Sequence, residues 1–396
     1  MECHVCAVGE VVEARDFNNL GRTASDCKPW RPGGRIGVCC SCAIVQKLLD
    51  TTWQAESDEI YSDYFIYHQS PSRSEQPIYI SQSDRWVPRS EAILLNFINI
   101  VGDNVLTAGI AMDIGCGNGA TLHAMARVFP NHARYGFDPT ATNIGALESR
   151  LELQVTACSR ELKDLPKSYD LLTMIHVLEH IPQPLPILRS YVDMLTSNGY
   201  FLIVVPNFLE NPFDITIADH CSHFCKDSLI NLLSAAGLEI INLSTTNIPK
   251  EIMAICKRSN KELKASLIKL DVLALENQRQ LSAQIQWLYS IREQVTSILN
   301  KDCKFGVFGT SIAGNWMYGE WSNKISFFVD EDPERLGTTY RGVPVLSISD
   351  LNDEDAVYIA LPPAIAFKVK QRYKGARCKI YIPDSVLIDE TTYEDL

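Results

Sequence analysis

Apolar positions along this chain follow two periods. Between residues 90 and 245, short apolar runs alternate with segments whose apolar positions lie three or four apart. The runs at 109–112, 134–138, 153–157, 169–175 and 200–205 predict strands. Helical spacing covers 89–100, 120–129, 185–195 and 226–236, with Ser197-Asn198-Gly199 and Gly237 as stop signals. Strands alternating with helices predict an α/β fold built on a parallel, doubly wound sheet.

The flanks read differently. Leu263, Leu267, Leu270, Leu273, Leu281, Ile285, Leu288, Ile291, Val295 and Ile298 step mostly by three and four, without Pro or Gly, across 258–300. This predicts one long amphipathic helix, or two nearly joined, with its stripe packed between domains. From 303, strand, glycine turn and helix recur (Gly306, Gly309, Gly314), with further strands at 325–329, ending at Asp330, and at 357–361. That is a second Rossmann-like unit. Its Thr310 and Ser311 either receive a phosphate at a helix start or serve the fold alone. Residues 51–90 are polar and aromatic (Tyr61, Tyr64, Tyr67, His68, Tyr79, Trp86), broken by Pro71 and Pro77. They predict a long loop, either a lid or a packed connector. The expected organisation is 1–50, a zinc module; 51–90, an aromatic lid or linker; 91–257, the main α/β domain; 258–300, a helical linker; and 301–396, the second Rossmann-like domain.

Composition narrows the classes. The 396 residues carry a net charge of −12 and no basic run longer than two, which argues against nucleic acid as substrate. No apolar stretch is long enough to span a membrane. The thirteen cysteines mostly stand singly in apolar segments, which fits a reducing cytoplasm better than a disulfide framework.

The chemistry concentrates at Asp113-Ile114-Gly115-Cys116-Gly117-Asn118-Gly119, where the first strand meets its helix. Glycine serves where backbone passes close to a ligand or takes positive φ. Asp113 closes the strand, and Asp138 ends the next, placed to accept hydrogen bonds from a ribose diol. A dinucleotide wants G-x-G-x-x-G, and Asp113 would repel its phosphates. S-adenosylmethionine has no phosphate, and its ammonium suits an acidic strand end. The turn resembles motif I of the class I methyltransferases, and Tyr-Gly-Phe-Asp-Pro at 135–139 resembles their motif II. Asp113, Gly115, Gly117, Gly119 and Asp138, with His176 as a pocket wall, are the expected cofactor residues. In such sheets ligands bind beyond the carboxyl ends of the strands, which gathers Asp113, Asp138, His176 and Asn207 around one crevice with His180 at its edge.

Two C-x-x-C knuckles, Cys3/Cys6 and Cys39/Cys42, can supply four thiolates to a closed structural zinc site. A module of fifty residues needs such a staple. Cys27 and Cys40 are spare sulfurs. The loop after strand five holds Asp219-His220-Cys221-Ser222-His223, the densest set of proton-transfer groups on the ligand side of the sheet.

Taken in order, the parts resemble the three-domain bacterial sugar C-methyltransferases, which act on nucleotide-linked keto-deoxysugars. The residues that carry the likeness are the two knuckles with Ala43-Ile44-Val45-Gln46, the segment Tyr64-Phe65-Ile66-Tyr67-His68-Gln69-Ser70, motif I, Val177-Leu178-Glu179-His180-Ile181-Pro182, Val329-Asp330-Glu331-Asp332-Pro333 and Gly342-Val343-Pro344-Val345. In that family a Tyr and then Glu-His follow strand five; here Ile217 stands near the Tyr position and Asp219-His220 replaces Glu-His. The resemblance implies His220 as general base with Asp219 as its carboxylate partner, His180 and Tyr67 as donors to an enolate oxygen, and a C-terminal domain that helps hold the sugar nucleotide. The other readings are an O-methyltransferase, a non-catalytic nucleotide-sugar-binding protein and, with least support, an NAD-dependent oxidoreductase. A monomer and a homodimer are both compatible with the long helix.

Overall fold

The computed structural model describes residues 1–64, 75, 77–80, 85–102, 108–140, 147, 149, 156–259, 270–301 and 303–386. The N-terminal module contributes β1 (Val11–Glu13), a small pair β2 (Arg22–Thr23) and β3 (Pro29–Trp30), then β4 (Ile36–Cys39) and β5 (Val45–Lys47). Residues 51–90 are not one long loop. Helix α1 (Thr51–Ser62) starts on an Asp50 side-chain cap to the Trp53 N–H and buries Trp53, Glu56, Ser57 and Ile60. Glu56 is buried because Arg22, itself 1% exposed, clamps it with two hydrogen bonds of 2.7 and 2.8 Å. A buried charged residue in the apolar stripe explains why composition hid the helix. A hairpin of β6 (Pro77–Ile80) and β7 (Arg85–Pro88) follows. Residues 65–74, including Tyr67 and His68, lie outside the described residues.

The central sheet is laid down by α2 (Arg89–Val101), β8 (Gly109–Ile114), α3 (Ala120–Val128), β9 (His132–Phe137), β10 (Ala157–Ser159), β11 (Tyr169–Ile175), α4 (Pro184–Asp193) and β12 (Leu195–Pro206). After the two-residue strand β13 (Ser222–His223) come α5 (Lys226–Ala235), β14 (Leu238–Ser244) and β15 (Glu251–Arg258). The strand order is β10-β9-β8-β11-β12-β15-β14. The first five strands run parallel; β15 is antiparallel to β12, and β14 to β15. Ser197-Asn198-Gly199 is not a helix stop. It lies inside β12, which begins at Leu195 opposite Tyr169 and then shifts register. Gly199 fits there because a Cβ would sit 2.9 Å from the Tyr169 carbonyl oxygen.

The long stripe forms helix α6 (Leu270–Leu299). Behind it stand β16 (Lys304–Phe308), α7 (Ile312–Trp321), β17 (Ile325–Val329), β18 (Thr339–Tyr340), β19 (Val343–Leu346), β20 (Asp355–Tyr358), α8 (Pro363–Arg372) and β21 (Lys379–Tyr381). They form a six-stranded sheet ordered β18-β19-β17-β16-β20-β21, parallel except at β18. Its third core strand spans Asp355–Tyr358, starting two residues and ending three residues earlier than expected. Among the described residues no helix is long and apolar enough to cross a membrane.

Helix α6 is the spine of the molecule. Leu281, Ile285, Leu288 and Ile291 share one core with Val38 and Val45 of the N-terminal module, Phe213 and Ile215 of the loop after β12, and Phe305, Val307 and Phe328 of the C-terminal sheet. Polar residues on the same face cap foreign carbonyls: Asn277 donates to Ala43 O and Gln284 to Phe208 O, each at 2.7 Å. A stripe so occupied is an interdomain core. Truncating Leu288 to Ala should cost about 2–5 kcal/mol. Because three units share that core, urea unfolding followed by Trp fluorescence and by far-UV circular dichroism should shift together to lower denaturant.

Candidate active site

The glycine turn after β8 has the backbone the motif demands. Gly115, Gly117 and Gly119 all take positive φ (73°, 50° and 84°). At Gly115 a Cβ would lie 2.3 Å from Val177 Cγ2, so only glycine fits between the turn and the segment after β11. The Gly117 N–H donates to Asp138 Oδ2 at 2.9 Å, and Thr140 donates to Oδ1 through its N–H and its hydroxyl. Asp138 thus fastens motif I to the next strand end. Asp113 is buried at the tip of β8 and accepts a 2.6 Å bond from Thr173 Oγ1. Burial pushes its carboxyl up to about 7. A ligand ammonium beside it would restore the charged form.

His176 closes β11 with a positive φ of 55°. Its ring lies between two acids, Nδ1 at 3.4 Å from Glu179 and Nε2 at 3.3 Å from Glu251. Glu251 is held below its ordinary value, to about 2: burial works against this, and Arg89 and His176 prevail. Asn207 is committed to its own loop. It is buried, donates to Glu210 Oε1 at 3.1 Å and accepts from the Leu209 N–H, so it shapes the loop.

The loop after β12 departs from expectation. Asp219 does not partner His220. Consecutive side chains diverge there: Asp219 accepts from Ser25 through both the backbone N–H (2.8 Å) and the hydroxyl (2.5 Å), and lies 3.4 Å from His180 Nδ1. His220 Nδ1 is instead 2.9 Å from Asp214 Oδ1, and His223 Nδ1 is 2.7 Å from Asp214 Oδ2. One buried carboxylate therefore orients two imidazoles. Despite complete burial, the two rings beside it hold Asp214 far below the usual carboxylate range. The His180 and His220 rings meet edge to face, centroids 4.6 Å apart. Tyr61 from α1 reaches His180 Nδ1 at 3.1 Å. Burial alone would lower His180, but Asp219 outweighs it and raises the imidazole to about 9. His223 has the opposite balance: burial prevails and lowers it to about 4. Ile217 is buried and pairs with Thr23.

Ser25 and Asp214 escaped the sequence reading. Asp214 left a trace, an acid six and nine residues before the two histidines; Ser25 comes from a distant segment and left none. Tyr61 stood among the aromatics of the 51–90 segment, and its contact with His180 was not foreseen.

The strand that carries His223 belongs to the N-terminal sheet, ordered β1-β4-β5-β13. Ser222 pairs with Gln46 and His223 with Val45. The first knuckle reaches this strand: His4 Nε2 lies 3.0 Å from Ser222 Oγ, and the His4 N–H donates to Gln46 Oε1 at 3.2 Å. Cys3 Sγ and Cys42 Sγ are 3.7 Å apart, as are Cys6 Sγ and Cys39 Sγ, and all four are free thiols. Backbone N–H groups of Val5 and Cys6 point at Cys3 Sγ, and those of Ser41 and Cys42 at Cys39 Sγ, at 3.3–3.4 Å. A tetrahedral zinc with bonds of about 2.3 Å spaces its sulfurs by about 3.8 Å, so the donor set fits that ion. Cys27 and Cys40 stand outside the cluster.

In the C-terminal sheet, Thr310 Oγ1 donates to Asp330 Oδ2 at 3.0 Å, and the Asp332 N–H donates to Oδ1. The glycine spacing there answers to packing. A Cβ on Gly314 would lie 2.0 Å from Gly309 O, and one on Gly306 would lie 2.1 Å from the Phe327 ring.

Residues 96–243 match the methyltransferase-domain family. The ubiquinone biosynthesis O-methyltransferase of Shewanella pealeana is 30% identical over 185 residues, 36% of this chain and 78% of that protein. The enzyme of the same name from Aliivibrio fischeri is 30% identical over 111 residues, 27% of this chain and 47% of that one. The first curated relatives are thus spanned over about half their length. A solved S-adenosylmethionine-dependent methyltransferase from Clostridium acetobutylicum is 10% identical, covers 45% of this chain and 94% of its own, and has a TM-score of 0.37. The chain belongs to the S-adenosylmethionine-dependent methyltransferases.

The His180–Asp219 pair has a testable titration. His180 should titrate near 9 by NMR, and Asp219→Asn should lower it, because burial is then opposed only by Glu179 and the backbone carbonyl of residue 219. The stability the pair contributes is complete below pH 6.5 and fades as pH rises through about 9. That part of the stability–pH slope should vanish in the variant.

Proposed function

We propose that this protein transfers a methyl group from S-adenosylmethionine to carbon in a nucleotide-linked keto-deoxysugar, with His220 as the base. The observation that carries the reading is the Asp214–His220 pair beside a protonated His180. S-adenosylmethionine supplies an electrophilic sulfonium methyl when bound. The chain must bind it, which falls to Asp113, the glycine turn, Asp138 and the wall at His176, and must generate the nucleophile. Asp214 holds the Nδ1–H of His220 and leaves the Nε2 lone pair to take the proton beside the ketone. His180, a cation at neutral pH through Asp219, donates to the developing enolate oxygen. Tyr67, which lies outside the described residues, is assigned as a second donor. Cys3, Cys6, Cys39 and Cys42 hold one structural zinc that braces β4 and β5, and through them β13. The C-terminal sheet is assigned to the nucleotide. Support for the sugar acceptor comes from the order of parts, knuckles through C-terminal unit.

The curated relatives are named O-methyltransferases, which favours a second reading in which the same base takes a hydroxyl proton. Product analysis separates C–CH3 from O–CH3.

His220→Asn should lower kcat by about 10²–10⁴-fold while the Kd for S-adenosylmethionine, read by calorimetry, changes little. Unchanged turnover would place the base elsewhere. One zinc per chain is expected by native mass spectrometry. Its removal by chelator, or Cys42→Ser, should lower turnover far more than donor binding, because the knuckles meet β8 only through the shared core at Met112 and Ile114 while β5 pairs directly with the histidine strand.

A further inference from the structure

The crevice holds a carboxylate that the reaction above does not use. Glu179 is 1% exposed, and neither side-chain oxygen has a hydrogen-bond partner. The nearest basic group is His176 Nδ1, at 3.4 Å and out of hydrogen-bond alignment. A buried carboxylate so poorly met is disfavoured as the anion unless a cation arrives. One donor atom each from Glu179, His180 and His220 lies within 4.8 Å of the others.

The two imidazoles are prepared for a ligand in the same way. His180 Nδ1 is engaged by Tyr61 OH at 3.1 Å, by the Asp219 carbonyl at 3.3 Å and by its carboxylate at 3.4 Å. His220 Nδ1 is engaged by Asp214 at 2.9 Å. A carboxylate on one ring nitrogen fixes the ring and raises the basicity of the other, the usual outer support of a metal-bound histidine. The neighbouring group Asp214/His220/His223 is a weaker candidate, because both Asp214 oxygens already bind imidazoles.

We infer that Glu179, His180 and His220 form a second metal site, distinct from the four cysteines, for one divalent transition ion. Two imidazoles and a carboxylate suit Zn2+, Co2+, Mn2+ or Fe2+ and leave coordination positions open. Bonds of about 2.0–2.2 Å would draw the donors to about 3.4 Å from one another, an inward movement of about an ångström. The inference rests on the reading of His220 as base and adds a regulatory consequence. Ligation takes the Nε2 lone pair that proton abstraction needs, so the ion-bound form is inactive. Ligation also displaces the Nε2 proton of His180 to solvent, so the ion is an inhibitor that competes with protons at both imidazoles.

Co2+ titrated into the zinc-loaded full-length protein tests this. One further equivalent should bind with nitrogen–oxygen visible bands and no thiolate charge-transfer band. Turnover should fall in step, by at least tenfold at saturation. Glu179→Gln and His180→Asn should each weaken Co2+ binding at least tenfold. Zinc content and S-adenosylmethionine affinity check that each variant is folded. No uptake beyond exchange at the thiolates would overturn the site, and so would uptake that both variants leave unchanged. Binding without inhibition would keep the site, overturn the competition and remove His220 as the base. The spectrum is read without turnover, so an inactive protein that still binds Co2+ would count against the methyl-transfer reading alone.

Discussion

The pairing of β13 with β5 is the constraint on which the site depends. Two hydrogen-bonded residues, Ser222 and His223, join a loop of the central α/β unit to the sheet of the cysteine module. Lys47 N donates to Cys221 O at 2.9 Å, extending the pairing to the residue beside His220. A loop of that length would wander if left on its own. Here its backbone is spoken for on one side by a sheet and on the other by α6, through Phe213 and Ile215. The histidines stand on rigid backbone although they are formally in a loop.

Buried charge is handled in pairs around this seam. Arg22 clamps Glu56, Asp214 faces two imidazoles, and Asp219 faces His180 and Ser25. Lys47 is fully buried over the Phe17 ring, donates to the Ile215 carbonyl, and is held well below its usual range by desolvation. Breaking one partner of such a pair leaves an uncompensated ion, which is worse than never having buried either. The seam therefore tolerates little substitution even at residues that touch no ligand.

What could be read from the sequence follows the range of the forces involved. Four of the five parallel strands, the glycine turn and the long helix were legible because each is specified by neighbours within about ten residues; the strand expected at 153–157 lies instead at Ala157–Ser159. The Asp219–His220 partnership was misread because adjacency in sequence places side chains on different sides, and the true partners sit at Asp214 and His180. The antiparallel β14–β15 edge, the helix at Thr51–Ser62 and the reach of Tyr61 and Ser25 were hidden because only the folded chain brings those groups together. In the C-terminal unit, crowding by Phe327 and backbone accounts for Gly306 and Gly314, and a positive φ for Gly309, so packing sets a spacing that is also open to a ligand.

The β5–β13 pairing also orders events during synthesis. Gln46 leaves the ribosome long before Ser222 exists, at about 5–20 residues per second a wait of roughly ten to thirty-five seconds. Through that interval the edge at Val45–Lys47 has no strand beside it, and Lys47 has no carbonyl at Ile215. An unpaired edge is an invitation to a second nascent chain. A charged lysine at the open margin discourages that, so a residue awkward to bury at the end is useful at the beginning. The same side chain serves first as guard of the edge and later as part of the wall behind the histidines.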